Sequence, residues 1–292
     1  MAALPAYVLI TPARNEAEFI ELTLKSVVSQ TLRPLRWLVV SDGSTDRTDE
    51  IVEKYAAEHT WIELIKMPPR RERHFAGKVH AFNTGYAKVT GLNYDIIGNL
   101  DGDVSFDAGY FEFLMKQFAD NPALGVGGTP FREGRSESSR YDYRFTSTEH
   151  VSGQCQLFRR QCFQDIGGYM PRKLGGIDLV AVTTARMKGW QTRAFLEKTY
   201  MHHRPMSTAG RGALKVPLYM GRKDYILGSH PIWAFFQCIY QSTKRPLFLH
   251  GALRFAGFIW GMVTDDIQVP DDFVQFRRKE QMRRLRKFIT RR

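Results

Sequence analysis

Two carboxylates, Asp101 and Asp103, flank a single glycine at the end of an apolar, β-branched run in the stretch IIGNLDGDVSF, residues 96–106. Taken alone, an Asp-Gly step is a turn signal between strands. Two other stretches change its meaning: TPARNE at residues 11–16 and SDGSTD at residues 41–46, each following an apolar run of the same kind. All three set acidic and polar side chains just past the end of what reads as a buried strand. In an open α/β sheet the strand-end loops and helix N-termini converge on one edge, and ligands bind there. The chemistry on offer is recognition of a polar ligand by several loops at once.

The elements that would carry these loops are legible in the hydrophobic periodicity. AYVLITP reads as a buried strand, followed by a helical pattern over residues 16–30. LRWLVVSDGS is a second strand, with helix over about residues 45–57. WIELIKM is a third strand, and GKVHAFNTGYAKV resumes helix. YDIIGNL is a fourth, then helix over residues 108–119 and a short strand around ALGVGGTP. Such alternation predicts an α/β fold with a mainly parallel sheet flanked by helices. The polar stretch at residues 132–147 reads as an exposed loop.

Composition narrows the classes. With 292 residues and 43% hydrophobic content, the chain can build a sizeable core. No secretory leader is evident at the N-terminus, and three cysteines without a CxxC pair fit a reducing, cytosol-facing setting. The net charge is +12, but residues 277–292 hold nine Lys/Arg against one Glu, leaving only +4 for the rest. A nearly neutral body with a basic tail argues against a nucleic-acid-binding protein. A nucleotidyltransferase or dehydrogenase is the other alternative, and the chain has neither GxGxxG after its first strand nor GxxxxGK[ST].

The ordered set TPARNEAEFIELTLKSVVSQT, WLVVSDGSTDRTDEIV, GKVHAFNTGYA, IIGNLDGDVSF and GIDLVAVTTARMKGWQT resembles the family 2 glycosyltransferases, which have the GT-A fold. The resemblance covers most of residues 6–195. It implies inverting transfer of a sugar from a nucleotide-diphosphate sugar to an acceptor hydroxyl on a lipid-linked glycan or cell-surface polysaccharide precursor. UDP is the default nucleotide, with GDP and dTDP open. It sets Thr11, Pro12, Arg14 and Glu16 against the donor nucleotide and gives Asp42 to the base or ribose. Helix capping is the other reading around Asp42, since Ser44, Thr45 and Asp46 are good caps. Lys78 faces the nucleotide or diphosphate, or stands as a solvated lysine.

Asp101 and Asp103 match the family's DxD motif, with Asp101 also on the donor. A diphosphate beside carboxylates suffers like-charge repulsion, which Mg²⁺ or Mn²⁺ with their oxygen ligands would relieve. Alternate strand residues point to opposite faces, so Gly102 is expected to turn the backbone until both carboxylates reach one ion. Asp178 stands where the family places the general base, although Ile177 and Val180 replace acids frequent there; the other reading is a helix N-cap. His202 and His203, in YMHHRP, follow the last core strand, where some GT-A enzymes supply a third metal ligand. His203 is the candidate, against a plain polar loop. SGQCQLFRRQCFQDIGGY resembles the acceptor side of the site, its cysteines serving packing.

These readings divide the chain into a catalytic domain, residues 1–210, and a helical region, residues 211–292. Within the first, about residues 1–130 take the donor and 131–210 the acceptor. In the second, the apolar run at residues 231–240 is too short for the roughly 20 apolar residues a span needs, and the run at 246–263 contains His250 and Arg254, so spanning stays open but is not preferred. An aromatic helical pair lying in the membrane interface is expected, with a packed hairpin or dimer contact as the alternatives. In the tail, Met282, Leu285 and Ile289 share one helical face among cations, which predicts an amphipathic basic helix. The expected location is the cytoplasmic face of an anionic membrane, peripheral or monotopic, with no nucleic-acid partner.

Overall fold

The computed structural model describes residues 3–69, 75–133, 147–204, 214–243 and 248–290. It divides into two compact units, Met1–Pro205 and Met206–Arg292. The expected boundary at residue 210 lies outside the described residues, as does most of the polar stretch at 132–147.

The first unit is built on strands β1 (Tyr7–Ala13), β2 (Arg36–Ser41), β3 (Ile62–Lys66), β4 (Ile96–Leu100), β6 (Leu124–Gly128), β8 (Cys155–Arg159) and β9 (Gln191–Ala194). They form one seven-stranded sheet in the order β3-β2-β1-β4-β8-β6-β9. The first four strands run parallel, as the sequence alternation predicts. β8 is antiparallel to both β4 and β6. A second, three-stranded sheet joins β5 (Val104–Ser105), β10 (Tyr200–His202) and β7 (Phe131–Glu133).

Helices cover both faces, and strand alternation decides what each face receives. Tyr7, Leu9, Trp37, Val39, Ile96 and Leu100 point to one core. There they meet α1 (Ile20–Val28) through Leu24 and Val27, and α4 (Tyr110–Asp120) through Phe111, Leu114 and Phe118. α2 (Thr48–Glu58) adds Val52 to the same face. Val8, Ile10, Leu38, Val40 and Ile97 point to the other core. It is closed by α3 (Phe75–Val89), α5 (Arg160–Asp165) and α6 (Ile177–Met187). Each fully buried aliphatic or aromatic side chain contributes about 1.5–3 kcal/mol. Two packed layers therefore hold the strand ends rigidly. Cys155 and Cys162 are buried in these layers as free thiols, in a packing role.

The second unit consists of α7 (Lys215–Ile226), α8 (Pro231–Gln241), α9 (Leu249–Thr264) and α10 (Asp271–Thr290). Pro231 opens α8, where its missing N–H costs nothing, and His230 Nδ1 accepts from the Ile232 amide at 3.2 Å. Arg222 grips Asp265 with two bonds of 2.6 and 2.7 Å, and Arg254 reaches Asp224 at 2.6 Å, tying α7 to α9. The tail is the helix that the sequence predicts, with part of it packed. α10 is helical, but Leu285 is buried and Met282 half-buried, while the Ile289 side chain lies outside the described residues. Two of its cations are structural: Arg277 donates to the Leu227 carbonyl at 2.6 Å and Arg278 to Gly228 at 3.2 Å. Those carbonyls lie just past the end of α7, so the two arginines and the buried Leu285 fasten α10 along this side.

Candidate active site

β1 and β4 are neighbours, and the chain leaves them in opposite directions along the sheet, from β1 to β2 and from β4 toward β6. At such a switch point the strand-end loops splay apart and open a crevice. The loops after β1, β2 and β4 are the three singled out in the sequence.

The first two loops are laced together. Asn15, in a left-handed conformation at φ 56°, accepts from the Thr45 amide at 2.8 Å and donates its own amide to Ser44 Oγ at 3.2 Å. The Glu16 amide meets Thr48 Oγ1 at 2.8 Å. Asp46 takes the amides of Ala17 and Thr48, both at 3.0 Å. Burial raises the Asp46 carboxyl, but these hydrogen bonds outweigh it and hold it below its usual value. The capping work therefore falls to Asp46. Asp42 is left buried in the crevice wall, 3.8 Å from Arg14 Nη1. Pro12 is half-buried at the same strand end.

Thr11 turns the other way. It is fully buried, and its hydroxyl accepts from Trp37 Nε1 at 2.9 Å, so its side chain belongs to the core. Thr11→Val is expected to cost about 1–3 kcal/mol by orphaning the indole N–H. It should leave nucleotide binding unchanged; thermal melts with and without nucleotide check both.

Around the DGD loop each acid faces a cation. Lys78 is paired with Asp101 and reaches the Gly153 carbonyl at 3.3 Å, so it is not simply solvated. Burial raises the Asp101 carboxyl, the Lys78 charge opposes it, and the shift remains upward. Asp103 is buried, 3.5 Å from His202 Nε2 and 3.8 Å from Arg204 Nε. Burial raises its carboxyl too, but His202 and Arg204 prevail and it is held below the usual range. Arg204 Nη2 also binds Glu16 at 2.6 Å, and His202 Nδ1 meets Glu133 at 2.8 Å.

One expectation changes here. Gly102 does not adopt a left-handed turn; a side chain there would strike Ile20 at 2.9 Å and Glu16 at 3.3 Å. Space, not conformational freedom, demands glycine. The two histidines face different partners, since successive residues point to opposite sides. His203 Nε2 turns to Ser105 Oγ at 2.9 Å with its ring stacked on Phe19, while His202 faces Asp103.

The buried Asp103 Oδ1 has no hydrogen-bond partner in the structure. An ionised, hard oxygen donor left open beside a second carboxylate fits Mg²⁺ or Mn²⁺. Among the described residues no group of three or more His, Cys, Asp and Glu could hold a metal by itself.

Asp178 begins helix α6 but does not cap it. The N-cap is Gly176, at φ 79°, a residue with no side chain to cap with. Its carboxylate lies 3.7 Å from His150 Nε2 and is partly exposed. Gly153 links this acid to the DGD loop. Its carbonyl accepts from Asn99 Nδ2 at 2.6 Å and from Lys78, while an added Cβ would meet Asp178 Cβ at 2.8 Å. The next residue's carbonyl accepts the Asp101 amide at 2.8 Å. Tyr169 senses both acids: burial first, then the charges of Asp178 and Asp101, push its hydroxyl well above the ordinary value. Gly153→Ala is expected to displace Asp178 by a few tenths of an ångström or more. A 1 Å misplacement can cost about 10²-fold in rate, so kcat should fall by up to that much with donor KM nearly unchanged.

Sequence reasoning missed Asn99, Gly153 and Arg204. Asn99 left a trace, as a polar residue within an otherwise apolar strand. The other two left none, because their partners are more than 20 residues away.

Residues 8–167, just over half of the chain, match the family model Glycosyl transferase family 2. The chain belongs to that family. Among curated relatives, Glycosyltransferase AglE of Haloferax volcanii is 30% identical over 192 residues, 61% of this chain and 60% of that protein. Poly-beta-1,6-N-acetyl-D-glucosamine synthase of Staphylococcus epidermidis is 25% identical over 170 residues, 52% of this chain and 39% of the synthase. The chain thus spans 39–60% of the length of these two relatives. Among solved structures, a mannosyltransferase of Pyrobaculum calidifontis in complex with GDP-Man and Mn²⁺ superposes with a TM-score of 0.58 at 17% identity, covering 99% of this chain and 87% of the other. S. aureus TarS in complex with UDP-GlcNAc gives 0.57 at 14% identity, with coverage of 94% and 82%. These likenesses carry the fold: this family 2 glycosyltransferase has the GT-A arrangement of a mainly parallel sheet flanked by helices.

Proposed function

We propose that residues 1–205 transfer a sugar, with inversion, from a nucleotide-diphosphate sugar to an acceptor hydroxyl, and that Asp178 is the general base. The observation that carries this reading is the Gly153 bridge, which sets a partly exposed carboxylate beside the DGD loop. Inversion needs a base that takes the acceptor proton as the oxygen attacks the anomeric carbon. Asp178 is ionisable, reachable from solvent and positioned by a helix, which suits that task.

Donor binding falls to the crevice between the β1, β2 and β4 loops, about residues 1–130. Arg14 and Asp42 would take the nucleoside, with Pro12 beside them. Lys78 and Arg204 stand beside the acids Asp101, Asp103 and Glu16, where a diphosphate would draw them. Asp101 and Asp103 would hold Mg²⁺ or Mn²⁺, and that ion would neutralise the diphosphate as it leaves. Two neighbours in fold were solved with Mn²⁺, one with GDP-Man and one with UDP, which supports this donor class. UDP is the first nucleotide to test.

The acceptor reading rests on the names of the relatives, a polysaccharide synthase among them. It is a glycan or glycolipid hydroxyl presented to residues 131–205 at the cytoplasmic face of a membrane. The deciding experiment is a thermal-shift screen of nucleoside diphosphates with and without Mn²⁺, followed by NMR of the product's anomeric configuration. A ligand at a hundredfold excess over its Kd stabilises the folded state by roughly 2.7 kcal/mol. If no nucleoside diphosphate shifts the melt, the donor site is misassigned; a retained anomer removes the single-base mechanism.

A further inference from the structure

The second unit carries an apolar surface that its own packing leaves open. On α8, Ile232, Phe235, Phe236 and Ile239 are 38–50% exposed. They recur at i, i+3, i+4 and i+7, the spacing of a single helical face. Trp233, Ala234 and Cys238, on the other side of the same helix, are buried. On α9, Phe255, Ile259, Trp260, Met262 and Val263 are exposed as well, Val263 to 77%. The two sets join: the rings of Phe235 and Phe255 meet nearly edge-on with centroids 6.0 Å apart. None of the 11 residues of α8 is charged. Contiguous exposed patches of this kind mark interaction sites.

The geometry points to the interfacial layer of an anionic phospholipid bilayer as the partner of this α8–α9 face. Length is the first reason. Helices of 11 and 16 residues fall short of the roughly 20 that a span requires. No helix among the described residues is long and apolar enough to cross a membrane, so the pair can lie in the interface but not thread it. Aromatic chemistry is the second. The Arg222 guanidinium stands 4.9 Å over the Trp260 ring, placing a fixed cation at the edge of the apolar face. An indole with a charged neighbour suits headgroup depth, where one side is wet and the other oily. Charge is the third. Lys279, Arg283, Arg286 and Lys287 of α10 are exposed, and each cation near an anionic leaflet adds about 1 kcal/mol.

The inference deepens the acceptor reading above, since a lipid-anchored acceptor gives the contact its use, but its test needs no turnover. The full-length protein is floated with vesicles of phosphatidylcholine, with and without phosphatidylglycerol. We expect flotation with the anionic vesicles and little with the neutral ones. Phe236→Glu with Ile239→Glu should lower the bound fraction by roughly tenfold or more, because a charge must be drawn to apolar depth. Arg283→Glu, Arg286→Glu and Lys287→Glu together should do likewise, and salt should remove this second share, since exposed charges are screened over about 10 Å at 0.1 M. Circular dichroism and the nucleotide-induced melting shift should be unchanged, which separates failure of this surface from failure of the donor site. If the α8 variant loses helicity, Met262→Glu with Val263→Glu on α9 reads the same face. Protein that stays behind at low salt with anionic vesicles overturns the assignment. So does flotation unaffected by the apolar variants, or a concentration-dependent dimer that Ile239→Glu abolishes.

Discussion

Asp178→Asn is expected to lower turnover by roughly 10²- to 10⁴-fold, the range a positioned general base supplies. The substitution keeps the shape of the side chain and removes only its capacity to accept a proton. Little else should move. Asp178 does not cap α6, whose N-cap is Gly176, so the helix keeps its start. Its nearest ionic neighbour, His150 Nε2 at 3.7 Å, is too distant for a strong hydrogen bond. Nucleoside-diphosphate binding should persist, because the donor loops follow β1, β2 and β4 while Asp178 stands on α6. Single-turnover kinetics with saturating donor make the comparison. A variant that turns over at a near-normal rate places the base elsewhere.

Asp103→Asn should silence transfer altogether while costing the fold only about 1–2 kcal/mol. The small stability cost follows from the pairing around it. His202 also holds Glu133 at 2.8 Å, and Arg204 also holds Glu16 at 2.6 Å. Neither cation is stranded when the carboxylate becomes an amide. The large activity cost follows from charge, since an amide oxygen cannot offset a divalent cation and a diphosphate as a carboxylate does. EDTA is expected to reproduce the loss in the parent protein, with recovery on adding Mn²⁺ or Mg²⁺. Isothermal titration of Mn²⁺ with UDP into parent and variant gives a readout separate from turnover. Full activity in EDTA would remove the metal from the mechanism.

Periodicity alone was enough for the four parallel strands, their helices and the edge on which the polar loops gather. The strands of a buried parallel sheet are continuous apolar runs, and such runs are visible one residue at a time. β8 was not legible. CQLFR is short and mixed, and its antiparallel place between β4 and β6 is set by partners far along the chain. The three-stranded sheet was hidden for the same reason, since strands of two and three residues carry no periodicity.

At the site, local pattern was enough to show which acids gather: Asp42, Asp101 and Asp103 each follow an apolar run that must end at the same sheet edge. What those acids face depends on contacts that form only in the folded chain. Arg14 opposite Asp42, Lys78 on Asp101, His202 and Arg204 about Asp103, and Gly153 between Lys78 and Asp178 are contacts between separate elements. The same holds for Thr11, whose hydroxyl turned inward because Trp37 lies beside it on the neighbouring strand. It holds again for the tail, where Leu285 of a helical face legible as amphipathic is buried and Arg277 is bonded to the Leu227 carbonyl. Local pattern states which side of an element is apolar. Whether water, lipid or protein covers that side depends on what the rest of the chain brings to it, and that is a property of the folded molecule.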